Sequence, residues 1–387
     1  MTIFVQRKQR TIFDFYVLRA GVFSMKTSIP FHVARRGAGR RRDILLFLPV
    51  MLAAISCSSP DRDEPRRFDI EVMNGYTPVK DQGGDPTCYA YAMLAAIETE
   101  HIMRGDSVNL SVKYAVRSVI KDNLRRYYFT REEALLEPAG TGHTLLRAMA
   151  RDGMVEYDAY RDYERAGYGG MTRQAGFIAR QASRGDAGYG WYMRTCGALI
   201  DETMGTPPQN VYFFGMKYSP EEFARSVCAP DEYVALTSFS CYPLHEHVDL
   251  PLPHNHARDT FYNLTLDELM DIMTRAVRHG HGVCWEGDIT EPLFSFAAGV
   301  ARLPAGAVPD ETGRQEAYER RETTDDHCMA VIGMARDDNG EAYFIMKNSW
   351  GTDNPYGGLM YVSADYVRMK TVAVYLPAAA CRLPASS

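Results

Sequence analysis

The residues Gly83-Gly84-Asp85-Pro86-Thr87-Cys88 impose the sharpest local constraint in this 387-residue chain. Gly, Asp and Pro make Gly83 to Pro86 a tight loop. From Cys88 to about Met103, Ala, Met, Leu and Ile alternate with polar residues in a helical run. Cys88 therefore opens a helix, where the dipole and free N–H groups favour a thiolate. Gln82 lies six residues upstream across the turn. From there its amide can fold back towards the sulfur and, with the Cys88 backbone N–H, form an oxyanion hole. A cysteine in this position is by itself more often a packed small hydrophobe; the Gln and glycine context favours a nucleophile.

A thiolate nucleophile needs a base, and the base needs an orienting partner. Downstream, His327 begins the apolar, strand-like run Cys328-Met329-Ala330-Val331-Ile332. Asp337-Asp338-Asn339-Gly340 is a strong hairpin signal. A second run, Ala342 to Lys347, ends on Asn348-Ser349-Trp350-Gly351. Two antiparallel strands joined by that turn would bring His327 beside Asn348. A neutral Asn accepts one imidazole N–H and fixes the ring, leaving the other nitrogen for the thiol. Trp350 would roof that hydrogen bond against water.

Taken together, Gln82 to Ala92, His327 to Gly333 and Lys347 to Gly351 resemble the three active-site blocks of papain-like cysteine peptidases. The resemblance spans about residues 70–377. It implies Cys88 as nucleophile, His327 as base, Asn348 as orienting residue and Gln82 as the oxyanion-hole side chain. The implied fold is α+β and two-lobed, with a helical lobe carrying the nucleophile helix and an antiparallel β-rich lobe carrying His and Asn. Cys88 and His327 stand 239 residues apart, beyond the ~130–150 of ordinary papain-type enzymes. The surplus resembles the bleomycin hydrolase and aminopeptidase C branch, as do Phe261 to Leu269, Cys284 to Asp288, Arg314 to Tyr318 and Trp350 to Gly358. That branch implies removal of N-terminal residues, a homo-oligomer and a C-terminal tail in the cleft. Only Ala378 to Ser387 follow the last expected strand, which favours the alternative of an endopeptidase with an open cleft. Asp85 and Tyr89 replace the papain Cys and Trp at these positions, so that disulfide is not expected. Counting back from Gly153-Met154-Val155 places Gly140 at the second of the family's substrate-binding glycines; a helix-entry turn is the competing reading. No cofactor is implied, and a non-catalytic peptide-binding lipoprotein on the same scaffold is the reading from another functional class.

The N-terminal segment reads as an export signal. Residues 1–42 hold ten Lys and Arg and one acidic residue. Arg40-Arg41-Arg42 precedes the thirteen uncharged residues Ile44 to Ser56, too short for the ~20 that span a bilayer but suited to a secretory signal. Ala54-Ile55-Ser56-Cys57 resembles a bacterial lipoprotein cleavage box. Its implication is lipidation of Cys57, a membrane anchor and a place in the cell envelope. Translation from Met25 would leave a more ordinary signal. The expected organisation is a signal over 1–56, a tether over 57–68, a peptidase domain over 69–377 with a helical insert at about 156–285, and a short tail over 378–387. Between Cys57 and Tyr76 there is no room for a helical inhibitory pro-domain.

Composition removes other classes. At 46% hydrophobic and 24% charged residues, the chain is near the globular average, which argues against wholesale disorder, collagen and a disulfide-dense miniature scaffold. The net charge is -6 overall and -14 from Cys57 onward, which argues against bulk attraction to nucleic acid. His245, His247, His254 and His256 cluster, but Pro243, Pro251 and Pro253 break the segment and no metal-ligand spacing appears; a Pro-rich loop over the cleft is the favoured reading. Cys284 and Cys328 read as core. Cys196, Cys228, Cys241 and Cys381 have no pairing that sequence alone can assign. Tyr168-Gly169-Gly170 and Gly185 to Gly190 read as loops, and Pro220 to Val227 and Leu266 to His279 as helices.

Overall fold

The structure, a computed structural model, describes residues 66–161, 167–185 and 187–381. The signal segment expected over 1–56, Cys57 and residues 382–387 lie outside the described residues. All described residues belong to the unit Pro60–Ser387.

Nine helices are described: α1 (Cys88–Met103), α2 (Val112–Thr130), α3 (Gly142–Asp152), α4 (Tyr168–Ala182), α5 (Gly188–Met204), α6 (Pro220–Val227), α7 (Leu266–Arg278), α8 (Glu311–Glu319) and α9 (Ala364–Lys370). The thirteen described strands are β1 (Phe68–Met73), β2 (Val211–Phe213), β3 (Met216–Tyr218), β4 (Tyr233–Thr237), β5 (His247–Asp249), β6 (Thr260–Asn263), β7 (Val283–Gly287), β8 (Phe294–Ser295), β9 (Val300–Ala301), β10 (His327–Asp337), β11 (Ala342–Lys347), β12 (Leu359–Ser363) and β13 (Thr371–Pro377). Apart from the small β2-β3 hairpin, the strands join one mixed sheet in the order β5-β6-β4-β13-β7-β10-β11-β12-β9-β8, with β1 pairing on β10. This is the expected α+β class.

Strand β10 organises the sheet. Its first half, His327 to Val331, pairs antiparallel with β7, and its second half, Gly333 to Asp337, pairs with β1. The opposite edge of β10 runs along β11. Register shifts at Gly333, where a Cβ would stand 2.5 Å from the Val72 carbonyl oxygen; only glycine allows β1 to approach so closely. The hairpin to β11 turns at Gly340, whose φ is +79°.

Helix α1 is buried on all sides rather than amphipathic. Every residue from Ala92 to His101 is buried, as expected for a helix inside a core rather than on its surface. It lies between the helices α2 and α3 and the strands β7 and β10. On the other side of the sheet, α7 packs its Leu269, Ile272, Met273 and Val277 with Trp285, Met329 and Val331. The start of α7 is fixed by a capping box between Thr265 and Glu268, of a kind in which the cap residue is worth ~1 kcal/mol.

Four expectations change. The stretch 156–285 is not a purely helical insert: beside α4, α5, α6 and α7 it contributes β4, β5, β6 and β7 to the main sheet. Tyr233-Val234-Ala235-Leu236-Thr237 is a short apolar run that periodicity cannot separate from buried helix; its partner, β13, lies far away in sequence. Tyr168-Gly169-Gly170 is the first turn of α4 rather than a loop, because the Asp85 carboxylate accepts the Tyr168 N–H at 3.2 Å. Likewise, the loop at 185–190 ends at Gly188, where α5 begins. Finally, Arg66 and Phe68, expected in the tether, dock on the sheet: the Tyr356 hydroxyl donates to the Arg66 carbonyl at 2.9 Å, and the Phe68 ring stacks on Tyr361 at 4.0 Å.

Candidate active site

Cys88 is the first residue of α1, and Thr87 provides no side-chain cap there. First-turn N–H groups and the helix dipole therefore face the sulfur. Cys88 is half-buried, as are Tyr91 and Ile102, and Met103 at the far end of the helix is exposed. The β10-β11 hairpin brings His327 and Asn348 together as expected, with His327 Nε2 2.8 Å from Asn348 Oδ1. That oxygen also accepts the Ser349 N–H at 2.7 Å, which identifies it as the carbonyl end of the amide. His327 Nε2 must then carry the proton, which leaves Nδ1 as the free acceptor, and His327 is among the causes that lower the Cys88 pKa.

Water is kept from this pair. His327 is 3% and Asn348 2% exposed. The Trp350 ring lies 4.7 Å from the imidazole, centroid to centroid, and is braced by the edges of Phe294 and Phe296. Low local dielectric strengthens a hydrogen bond made there.

Gln82 is tied into the same corner. Its backbone N–H donates to the Ser349 carbonyl at 2.8 Å, and its Oε1 accepts the Ser349 hydroxyl at 2.6 Å. Nε2 donates to the Asp85 carbonyl at 2.9 Å. An amide nitrogen has two hydrogens, so one remains for a ligand. Asp81 and Trp350 form a β-bridge beside it.

The thiol of Cys88 is held well below the usual cysteine range. The largest cause is a hydrogen bond from the Cys328 thiol; burial opposes it, and the His327 contact and charge lower it further. The Cys328 thiol is correspondingly pushed up. Cys328 thus acts on the Cys88 titration, a role that reading it only as core missed.

A second missed feature lies beneath the site. Glu98, fully buried in α1, accepts from Lys80 Nζ at 2.8 Å and from the Leu110 N–H at 2.8 Å. Thr77 Oγ1 donates to its other oxygen. Lys347 Nζ lies 3.7 Å from that oxygen and donates to Thr77 Oγ1 at 2.7 Å. Lys80 is two residues before Gln82, and Lys347 immediately precedes Asn348. One carboxylate on the nucleophile helix thus fastens the segments that carry both polar side chains. Burial opposes the lowering of the Glu98 pKa by Lys80 and then Lys347, and the net direction is down. Burial above all takes Lys347 down to about 8, against the pull of the Glu98 charge. The signal in the sequence was a lysine just before each motif.

The remaining residues fall as follows. Gly140 is buried in the turn entering α3, and a Cβ there would stand 2.8 Å from Thr144 Cγ2; packing accounts for this glycine. Cys57 lies outside the described residues. The clustered histidines separate: His245 meets Glu268, His254 meets Asp325 at 3.3 Å, His256 meets Glu132 and His247 packs on Tyr262. Among the described residues no group of three or more His, Cys, Asp or Glu could hold a metal ion, and Cys196, Cys228, Cys241 and Cys381 are free thiols. A cavity of about 690 Å³ lies behind the Gln82–Asp85 loop, lined in part by Lys80, Tyr157, Gly169 and Arg173; Cys88 and His327 do not line it.

No family model and no curated protein matches the chain. Among solved structures, PepW from Lactobacillus rhamnosis is similar at a TM-score of 0.62 and 15% identity, covering 82% of this chain and 83% of that one. Digestive procathepsin L 3 of Tenebrio molitor is similar at 0.40 and 15%, covering 82% and 71%. Bromelain from Ananas comosus, in complex with the E64 inhibitor, is similar at 0.38 and 13%, covering 78% and 94%. The chain has the α+β fold of papain-like peptidase structures.

Proposed function

We propose that this chain is a cysteine peptidase that hydrolyses peptide bonds through an acyl-enzyme on Cys88. The observation that supports it most is the His327–Asn348 hydrogen bond at 2.8 Å, which directs the second imidazole nitrogen to a thiol at a helix N-terminus. Cys88 attacks the peptide carbonyl as a thiolate. The free Gln82 N–H and the Cys88 backbone N–H hold the developing oxyanion. His327, as imidazolium, protonates the leaving amine, and then as imidazole deprotonates the water that hydrolyses the thioester. Asn348 keeps the ring in the required tautomer, and Trp350 shields it.

The finer reading is an aminopeptidase of the bleomycin hydrolase and aminopeptidase C type. A buried carboxylate, Asp325, stands two residues before His327. Burial first, and then the Asp325 and Cys88 charges, push the Glu286 carboxyl well above its ordinary range. The raised value leaves Glu286 a neutral acid, so the anionic group in this corner is Asp325, whose charge suits the free α-ammonium of a peptide N-terminus. Export and lipidation at Cys57 belong to the same proposal, supported by the basic and apolar segments before it.

The test uses residues 57–387, a thiol-directed epoxide and fluorogenic peptides with free and blocked N-termini. Labelling lost in Cys88→Ala, with cleavage of free peptides only, is the expected result. No Cys88-dependent labelling would leave a peptide-binding protein without catalysis. Cleavage of blocked peptides would replace the aminopeptidase by an endopeptidase. For the anchor, radiolabelled palmitate should be incorporated by the full chain and not by Cys57→Ala.

A further inference from the structure

The Pro-rich loop at 250–256 reaches the active site through one side chain. Asp325 and His327 are buried, and Asp326 between them is exposed. That alternation turns Asp325 and His327 to the same side of the chain, about 7 Å apart along it. His254 Nδ1 stands 3.3 Å from Asp325 Oδ2; the Asp325 side chain is 3% exposed and that of His254 32%. His254 therefore covers the carboxylate from the solvent side. The contact is ionic only, because among the described residues Asp325 Oδ2 makes no hydrogen bond. A buried carboxylate oxygen with unspent acceptor capacity can still take a donor from outside. The backbone beside His254 is fixed. Buried Asn255 donates from Nδ2 to the Leu250 carbonyl at 3.2 Å and the Asp259 carbonyl at 2.9 Å, and it accepts the Asp259 N–H at 2.8 Å. Arg126 Nη2, on α2, donates to the His256 carbonyl at 3.1 Å. Only the ring of His254 has to turn for Asp325 to be uncovered.

We propose that His254 is a specificity-determining residue: its imidazolium occupies the Asp325 carboxylate in the free protein and yields it to the α-ammonium of an incoming peptide. This rests on the aminopeptidase reading and adds the group that competes for the same anion. Two cations at one carboxylate repel each other at close range. The ammonium therefore enters as His254 gives its proton to solvent and turns aside. The peptide keeps its own proton, and the charge of the corner is the same before and after. The Asp325 contact raises the His254 pKa; burial opposes it, and the Cys88 and Glu137 charges add to it. The competition thus extends upward from the usual ~6.5. Four other titratable groups face the pair: His256 on the same loop, Glu286 on β7, Tyr318 on α8 and Asp326 next in the chain. Burial above all holds Glu286 and Tyr318 in their neutral forms. Burial also lowers the pKa of His256, which meets Glu132.

The experiment is calorimetry on the 57–387 protein carrying Cys88→Ala, which cannot cleave what it binds. The probes are the peptides of the cleavage test with free and with acetylated N-termini, titrated in buffers of unlike ionisation heat. The expected result near pH 6.5 is tighter binding of the free peptides, with release of part of a proton. Adding His254→Gln should abolish the release, and acetylated peptides should cause none. At pH 6 His254→Gln should bind free peptides at least ~4-fold more tightly than its parent, because a group of pKa 6.5 or above is about three-quarters or more protonated there. The two proteins should converge as pH rises to 8. His256 and His327 titrate in both, so the comparison cancels them. His254→Ala repeats the measurement should the glutamine variant fold poorly, and circular dichroism checks both. A preference for free peptides without proton release, or with a release that His254→Gln retains, overturns the role of His254 and leaves the aminopeptidase reading standing. Equal binding of both kinds of peptide, or of neither, overturns the two together.

Discussion

Replacing Glu98 by Gln removes one charge and changes almost no volume, yet it should be among the most damaging substitutions in the protein. Glu98 faces two ammonium groups, of which Lys347 has a side chain only 5% exposed and Lys80 one 13% exposed. Removing one partner of a buried ion pair costs about 3–5 kcal/mol, because the other charge is left uncompensated. Here the low end applies. Burial already takes Lys347 to about 8 in the presence of Glu98, and without that anion it can shed its proton, at ~1.4 kcal/mol per pKa unit. A loss of ~3 kcal/mol with a urea slope of at most ~3 kcal/mol/M shifts the midpoint by about 1 M or more. The sign with pH follows from the lysine. Its folded value lies below its unfolded one, so between about 8 and 10.5 the unfolded chain holds the extra proton and raising pH favours the folded state. Without Glu98 the folded value falls further, so the variant gains stability with pH already below 8, where the wild type does not, and the penalty of Glu98→Gln should shrink between pH 7 and pH 8 and then level off. Urea unfolding at both values is the assay. A midpoint shift below ~0.3 M at pH 7, where ~1 kcal/mol would be the most it could represent, would refute the idea that this carboxylate fastens the site.

Other outcomes can be checked alongside. Gln82→Ala should lower kcat by ~10²–10³ and leave KM much less changed, as loss of one oxyanion donor does; equal loss in binding and rate would remove Gln82 from that role. Because the Cys88 thiol lies well below the ordinary range, its thiolate persists as pH falls from 9, and alkylation by iodoacetamide should slow little between pH 8 and pH 6; a tenfold fall per unit there would show an ordinary thiol. Asp85→Ala removes the carboxylate that caps α4 and should cost ~1 kcal/mol in thermal or urea stability, with proteolysis opening first near residue 168.

What the sequence disclosed was local. The turn before Cys88, the helix to Met103 and the hairpin from His327 to Asn348 each depend on residues within a few positions of one another. The Asn348 partner of His327 was legible because a turn of known type sets the register between two strands. Contacts between distant residues were not legible. Asp85 caps a helix 83 positions away and Glu98 meets Lys347; no spacing rule connects them. Strand β4 was missed for the same reason, since what makes Tyr233–Thr237 a strand is its partner β13.

The position of β13 has a consequence for how such a chain matures. Its seven residues, Thr371–Pro377, lie in the middle of the sheet, between β4 and β7. During synthesis the sheet therefore lacks this central rib until residues 371–377 have emerged, and until then β7, the neighbour of His327, stands without one edge. Pairings between strands so far apart in sequence form slowly. A nascent chain of this order has a nucleophile helix long before it has a finished scaffold for its base. On the proposed function, such a delay would keep the nucleophile idle while the chain is still being made.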